Sequence, residues 1–403
     1  MRRGTKIQKL KQALPGIVKD VRHYAKPRVK LHNEGLGDYY TEGYRSLNQR
    51  EWKGVRDTAY DFASWLKVYG YMAVTLGKHP VALTKSFVRY PWMASYLTVA
   101  NMLDRHKLGL RGKQLRYTQE QFYGVVHNSV DVIAKIIERD ENLNSPNNKR
   151  AAKLRAKTVM FDEMTPSIIM AGFPMLDWID IAMSPVCLPG EVDQNANIMY
   201  VDAAERMGLA ADVCPLPSAE VGCAIVDDYP QVGSSFITSS MPCDGSLGAA
   251  LFMDRYMKKL PSFTLTPPQR FNEPETNAYA VKDLKNCIRF IEETYDVKWD
   301  WDAFWKKAEE YNKTTQCMLD KWDVNCTPYP QVIGSALSLQ REYEFQTAAC
   351  LDSFMTKQDE KVTKMMLKGY EEDREADRRD YKYRAIVWCC PAHYYTCLLY
   401  TSP

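Results

Sequence analysis

Apolar residues recur at helical spacing through the first third of the chain. From Glu51 to Gly77 they return every three or four positions, and the same spacing predicts helices from Pro91 to Leu108 and from Thr118 to Arg139. The polar stretch from Asp140 to Lys149 has the composition of a linker. The pattern therefore predicts a helical N-terminal region over residues 1–150, with its apolar stripes forming a core.

After residue 150 the pattern changes to short apolar runs bounded by Pro and Gly. We expect a helix over Ala151 to Met160 and a short capped helix over Thr165 to Gly172, which the glycine ends. The apolar run from Met175 to Met183 fits a strand or a helix equally well. Ile198 to Met207 is predicted as a helix that stops before Gly208.

A strand, a helix and a second strand follow in the centre of the chain. Ser235 to Ser239 favours a buried strand, which Pro242 ends because proline has no N–H to donate. Helical spacing resumes beyond Asp244, and Ser262 to Thr266 reads as the next strand. The connection has the length of a right-handed parallel crossover, so a Rossmann-like parallel-sheet domain is expected over residues 151–383.

Long helices are expected in the last third of the chain. They span Ala278 to Tyr295, Trp301 to Asp323, and most of Tyr329 to Leu367. Arg384 to Trp388 then reads as the first strand of a second α/β domain, of which residues 384–403 would be a truncated start. The fold class is thus α/β, with a helical N-terminal region, a parallel-sheet domain and a second domain cut short.

Two cysteines precede predicted helices. Cys243 lies at the strand-to-helix corner, and Cys214 comes before a helix expected over Ser218 to Val226, with Ser218 as its N-cap. The N–H groups and dipole at a helix start favour the thiolate, which ligates metals or attacks electrophiles, and ligands of open α/β sheets bind beyond the carboxyl ends of the strands. A single cysteine after a strand is usually a small buried hydrophobe; the repeated setting favours a functional role. Cys223 falls inside the helix and is better explained as core.

The remaining helical cysteines have no His or carboxylate spacing that would indicate ligation, and we treat them as structural. They are Cys287, Cys317, Cys326 and Cys350.

Composition is that of a globular protein kept in a reducing compartment. The 403 residues are 45% apolar and 26% charged, with a net charge of +3, too small to indicate nucleic acid. No apolar run is long enough for a membrane span, and the N-terminus lacks a secretory signal, so a cytoplasmic location is expected. The eleven cysteines form no CxxC pair of a zinc site.

Arg2 to Lys30 holds ten basic residues against one acid, which fits a solvated arm or a face packed on a partner better than a contact with an anionic surface.

Taken in order, several motifs between about residues 150 and 390 resemble the 2-hydroxyacyl-CoA dehydratase and benzoyl-CoA reductase family. The motifs are P-x-x-I-x-A-G, a first Cys before a helix, strand–PCD–helix, F-x-x-x-P-P and Y-P-Q-V. Here they are Pro166 to Gly172, Cys214, Pro242-Cys243-Asp244, Phe263 to Pro268, and Tyr329-Pro330-Gln331-Val332.

The resemblance implies an iron–sulfur subunit. In the family, two homologous subunits each hold a [4Fe–4S] cluster through three cysteines, and an ATP-hydrolysing activator protein supplies one electron. The electron makes a ketyl radical of an (R)-2-hydroxyacyl-CoA, which acidifies the β-proton and lets hydroxide leave. Cys214 and Cys243 match the first two cluster ligands. The third belongs to the second α/β domain and is not assigned to Cys389 or Cys390.

The proton-transfer residue is also unassigned, because Ser167 stands where a carboxylate commonly follows Pro166 in the family. Asp162 and Glu163 lie just before the motif. No GxxxxGK[ST] motif is present, so ATP would be hydrolysed by another protein. The acyl-CoA contacts cannot be assigned either, although the basic arm is one candidate.

Three alternatives stay open. A benzoyl-CoA reductase-type subunit would use the same two cysteines, and a non-catalytic structural subunit would keep the fold without a cluster. A thiol enzyme with Cys243 as nucleophile needs a nearby base. None of the six histidines falls in the α/β core; they are His23, His32, His79, His106, His127 and His393.

Overall fold

The computed structural model describes the chain from residue 55 to residue 379, with gaps. The described residues are 55–103, 112–162, 165–192, 196–240, 245–248, 250, 260–268, 273–332, 340, 343 and 353–379. The basic arm Arg2 to Lys30, Cys243, Cys350 and the strand expected from Arg384 lie outside them. No helix within the described residues is long and apolar enough to cross a membrane.

Most of the described residues are helical, and four short strands form one sheet. The α-helices are α1 Val55–Leu76, α2 Pro80–Arg89, α3 Gly112–Arg139, α4 Lys149–Arg155, α5 Leu188–Val192, α6 Ile198–Arg206, α7 Pro215–Ile225, α8 Pro274–Tyr295, α9 Trp301–Cys326 and α10 Ser353–Glu375. The strands are β1 Thr158–Phe161, β2 Asp177–Asp180, β3 Ser235–Ser239 and β4 Ser262–Leu265. Pro91–Leu103 and Ser167–Gly172 are 3-10 helices, and Met183–Cys187 is a π-helical turn.

The sheet is parallel throughout, with strand order β2-β1-β3-β4. Val159 pairs with Trp178 on one side and Ser235 on the other, and Ile237 pairs with Phe263. The predicted crossover from β3 to a parallel β4 is confirmed, as is the α/β fold class with helices ahead of the sheet.

The helix predicted over Ala151 to Met160 is wrong in its second half. Helix α4 ends at Arg155, and Thr158 to Phe161 forms the central strand β1. The strand is buried along its whole length between two neighbours. Such a strand shows a continuous apolar run without alternation, and its sequence cannot be told from that of a buried helix.

One hydrophobic core covers a face of the sheet. Val159, Phe161, Ile237 and Leu265 from the strands pack with residues of the 3-10 helix Ser167–Gly172 and of α8. At Gly172 a Cβ atom would lie 2.5 Å from the ring of Trp299, so only glycine allows this close approach. Full burial of side chains of this kind contributes about 1.5–3 kcal/mol each.

The chain divides into two compact units. Among the described residues, the sheet unit comprises Val74–Leu97 and Ser129–Ala308, and the helical unit comprises 55–73, Thr98–Asn128 and the residues from Glu309 onward. The helical unit contains a buried ion pair in which Lys321 Nζ lies 2.6 Å from Asp359 Oδ1. A pair so fully removed from water is strongly coupled to folding, because either charge alone would be costly to bury.

Candidate functional site: the carboxyl edge of the sheet

The parallel arrangement brings the carboxyl ends of all four strands to one edge of the sheet. The chain passes from β1 outward to β2 and returns to β3 on the other side of β1. The connection after β1 therefore runs to one side of the sheet and the connection after β3 runs to the other. The gap between β1 and β3 is thus the topological switch point. Open α/β sheets bind their ligands in the crevice at that point.

Buried polar residues lie where the strands end at this edge. Asp162 follows β1, Asp180 ends β2, and Ser240 follows β3, each less than 9% exposed. The Asp180 Oδ1 atom accepts a hydrogen bond from the Ala182 N–H at 3.0 Å. Thr266, after β4, donates its N–H to Asp283 Oδ2 at 2.7 Å. The carboxyl edge of the sheet is thus polar.

Asp162 bridges the switch point. Its Oδ2 atom accepts the N–H of Ser239 at 3.0 Å, and its Oδ1 atom accepts the hydroxyl of Thr165 at 2.7 Å. Its own N–H donates to the Ile237 carbonyl at 3.2 Å. Asp162 therefore ties the end of β1 to the last three residues of β3.

Cys214 is exposed and stands at the N-cap position of α7. The helix begins at Pro215, three residues before the predicted start, so the prediction of Ser218 as N-cap is wrong. Proline suits the first helical position because the N–H it lacks has no intrahelical partner there. The Ser218 hydroxyl donates to the Cys214 carbonyl at 2.9 Å, which holds the backbone, whereas the Cys214 sulfur does not cap the helix.

The helix start offers fewer donors than the sequence argument assumed. Pro215 and Pro217 have no N–H, so within the first three helical positions Leu216 alone carries one. A thiolate at Cys214 is therefore stabilised less by backbone groups than expected. A bound cation or metal would have to supply more of that stabilisation.

The crossover between β2 and β3 carries α7. The helix packs closely on α6, where a Cβ at Gly222 would lie 1.7 Å from the Tyr200 carbonyl oxygen, and it contacts the π-helical turn after β2. Beyond Ile225 the chain reaches the amino end of β3, and the Ser234 N–H donates to the Thr158 carbonyl there at 3.0 Å. We therefore expect the start of α7, with Cys214, on the side of the carboxyl ends.

Cys243 lies outside the described residues, but the elements on either side of it are as predicted. Strand β3 ends at Ser239, and residues 245–248 and 250 are helical. Cys243 thus follows the strand at the switch point by four residues. Its role as a ligand stays a prediction.

The other described cysteines divide into core and surface. Cys223 is fully buried inside α7, as predicted. Burial, with a smaller effect of Asp283, raises the pKa of the Cys287 thiol to about 12, and burial also raises that of Cys317. Both therefore stay neutral thiols at physiological pH. Cys326 is exposed at the end of α9.

Sequence reasoning missed Cys187, a half-buried thiol at the end of the π-helical turn Met183–Cys187. Its position was the indication in the sequence, because Cys187 lies seven residues after Asp180, the end of β2. Among the described residues, no group of three or more His, Cys, Asp or Glu side chains is placed to hold a metal ion.

The fold defines a class: an α/β protein with a parallel sheet, in which an exposed cysteine precedes helix α7 of the β2–β3 crossover. Residues 192–400, slightly more than half of the 403, match the family model described as 2-hydroxyglutaryl-CoA dehydratase, D-component. The chain belongs to this family. No curated protein matches it in a search of whole sequences. The family match confirms the resemblance seen in the motifs and supports a dehydratase-type subunit.

Proposed function

We propose that this chain is the cluster-binding subunit of an enzyme that removes water from an (R)-2-hydroxyacyl-CoA. The observation that carries the proposal is Cys214: an exposed thiol at the start of a helix in the β2–β3 crossover, in a chain of this family. The same helix buries its other thiol, Cys223. This difference in exposure supports a ligand role for Cys214 and a core role for Cys223.

The residues that would hold the cluster are Cys214 and Cys243, with the third ligand unassigned. Thiolates are the donors that iron–sulfur clusters require, and an exposed, backbone-fixed thiol fits the role. A [4Fe–4S] cluster bound through three cysteines supplies one-electron transfer and an iron with an open position that acts as a Lewis acid. The substrate loses one water, and the electron is recovered at the end of each turnover. The reductant is therefore needed in catalytic rather than stoichiometric amount.

The protein contributes shape and polarity at the edge. Asp162, Asp180 and Ser240 give the crevice a polar lining. The hydroxyl and the N–H of Ser218 both donate to the Cys214 carbonyl and fix the chain there. The proposed partners follow from the family: a homologous second subunit, and an ATP-dependent activator protein because no phosphate-binding loop motif occurs in this sequence. A benzoyl-CoA reductase-type reaction would place the same demands on these residues.

A second candidate is a structural subunit without a cluster. Two features of the sequence favour it: Ser167 stands where a carboxylate commonly follows the Pro of this motif in the family, and no third cysteine ligand is assigned. In that case Cys214 and Cys243 would be ordinary thiols, and the fold would serve assembly with the partner subunit.

Iron and acid-labile sulfide analysis separates the two candidates. The full chain, purified without oxygen together with its neighbouring subunit, is expected to carry a cluster with its visible absorption. Cys214→Ser and Cys243→Ser should each lower iron affinity by more than the roughly 10- to 100-fold that loss of an outer-shell partner costs, because each removes a direct ligand. Cys326→Ser, an exposed control, and Cys223→Ala, a control in the same helix, should keep it. A wild-type chain without iron, or equal loss in all four variants, would favour the structural subunit.

A further inference from the structure

Helix α1 turns polar side chains toward α3 within the helical unit. Asp61 is fully buried and accepts a hydrogen bond from the Gln119 amide at 3.0 Å. Lys67 Nζ lies 3.0 Å from Glu120 Oε2, and the Tyr60 hydroxyl donates to Glu120 Oε1 at 3.5 Å. These polar groups of α1 are therefore already bound inside the unit.

The outer face of α1 is apolar. Val68 and Met72 are buried toward the unit, while Phe62 and Leu66 on the outer face are each 49% exposed. Apart from Lys67, the exposed residues of α1 described in this unit are apolar or small and recur every three or four positions: Val55, Ala59, Phe62, Ala63, Leu66, Gly70 and Ala73. A helix that is apolar on both sides is ordinarily buried on both. The outer face thus has the composition of a covered surface.

Gly70 lies on this face, and the described part of the chain gives no reason for a glycine there. A Cβ atom at Gly70 would meet nothing within 4 Å among the described residues, and its φ is not positive. Glycine inside a helix costs about 0.5–1 kcal/mol relative to alanine, but it lets another backbone approach closely. The position therefore fits a contact with a second helix.

Phe62 is ordered before any partner arrives. Its ring stacks on Trp65 with a centroid distance of 6.0 Å and 10° between the planes, and Trp65 contacts the Tyr69 ring at 4.9 Å. An ordered ring loses little side-chain entropy when it is covered. Phe62 is thus suited to anchor an interface.

The charge of the face selects its partner. Helices that bind lipid surfaces carry lysines and arginines beside the apolar face, whereas the described part of α1 in this unit exposes one cation, Lys67, which is paired with Glu120. A charged protein surface would be buried here without a counter-charge. An uncharged helix leaves no charge unpaired, and depletion of charge is typical of the cores of protein interfaces.

We propose that the outer face of α1 is the docking surface for an uncharged helix of the second subunit. The partner's identity rests on the proposed function and on the family description, which names one component of an enzyme. Helix α1 precedes residues 192–400, so this surface is an addition to the part that matches the family.

The test measures assembly of the full chain with its neighbouring subunit by sedimentation velocity. Leu66→Glu would bury an unpaired carboxylate in the contact and should raise the dissociation constant at least about 100-fold. Leu319→Glu is the matched control, because Leu319 is a 52% exposed leucine within α9 of the same unit. It should assemble like the wild type.

Gly70→Ala separates docking from a role in folding. Its methyl group meets nothing within 4 Å among the described residues, so urea unfolding of the chain alone should show unchanged or slightly higher stability. In the assembly the same methyl group would lie between two helices and should raise the dissociation constant about tenfold. A purely structural α1 would not give this divergence.

Unchanged assembly in Leu66→Glu and Gly70→Ala, equal losses in Leu66→Glu and Leu319→Glu, or a wild-type chain that does not bind the neighbouring subunit would overturn the inference. A dimer of the chain alone that Leu66→Glu dissociates would assign the face to a second copy instead. Flotation with anionic lipid vesicles that Leu66→Glu abolishes would assign it to a membrane. Normal assembly of a wild-type chain without iron would contradict the proposed function and leave the docking surface in place.

Discussion

The sheet unit and the helical unit both bury carboxylates, but they bond them to different partners. In the sheet unit, Asp162 accepts a backbone N–H and a hydroxyl at the edge where the strands end. In the helical unit, Asp359 lies against the ammonium group of Lys321, and both are almost fully buried. Backbone bonds fix the path of a loop, whereas a charge pair joins two helices. The contrast shows two ways of keeping a buried carboxylate bonded: by backbone and hydroxyl donors at the sheet edge, and by a charge pair in the helical interior.

The largest effect is expected where a buried charge loses its partner. Lys321→Met leaves the Asp359 carboxylate unpaired in the helical unit and should cost about 3–5 kcal/mol in the free energy of unfolding, measured with urea. The double variant Lys321→Met/Asp359→Leu should recover most of the loss because no charge remains. A single variant as stable as wild type would show that the pair does not hold the helices.

A substitution in the sheet unit tests packing behind the site. Gly222→Ala places a methyl group 1.7 Å from the Tyr200 carbonyl oxygen, so α7 must move away from α6. We expect the free energy of unfolding to fall by about 1–3 kcal/mol. Iron binding should also weaken, because Cys214 is the N-cap residue of the same helix. Gly70→Ala in α1 is the control: it meets nothing within 4 Å and should stabilise slightly. Equal behaviour of the two variants would contradict the close α6–α7 contact.

A smaller effect concerns acid stability of the helical unit. Burial alone would raise the pKa of Glu120, but hydrogen bonds from Lys361 and Gln358 and the charge of Lys67 lower it to about 2. The folded-state pKa is depressed, so the stabilisation is present above the usual value of 4.5 and is lost as pH falls from there to about 2.

Glu120→Gln should therefore lower the free energy of unfolding by about 1 kcal/mol at pH 7. The effect is modest because Lys67 and Lys361 are partly exposed. It should also flatten the decline in stability between pH 4.5 and pH 2. The measurement is urea unfolding across this pH range, with Glu309→Gln, on α9, as the control for charge alone. A steep decline retained in Glu120→Gln would assign acid sensitivity to other groups.

The sequence predicted the elements that have local signals. Ser235–Ser239 was recognisable because a glycine precedes it and Pro242 follows, and helix α1 showed a clear apolar stripe. Strand β1 was missed because Val159 to Phe161 is an unbroken apolar run, and pairing with the strands on both sides decides that it is a strand. Helix α2, a short helix of ten residues, was missed as well.

The candidate site was predictable only in part, because its contacts join distant segments. Cys214 stood out by its place before a helix, although the two prolines that change its surroundings were not weighed. The bond between Asp162 and Ser239 joins residues 77 positions apart and depends on the pairing of β1 with β3. No local pattern in the sequence encodes that register.

The measurement that tests the central claim most directly is cysteine labelling of the anaerobically purified chain before and after its cluster is removed with a chelator. Labelled positions would be read by peptide mass spectrometry. If the sheet edge binds a cluster, Cys214 and Cys243 should be protected in the first sample and labelled in the second, with Cys326 labelled equally in both. Equal labelling of Cys214 in the two samples would contradict the claim that it is a cluster ligand.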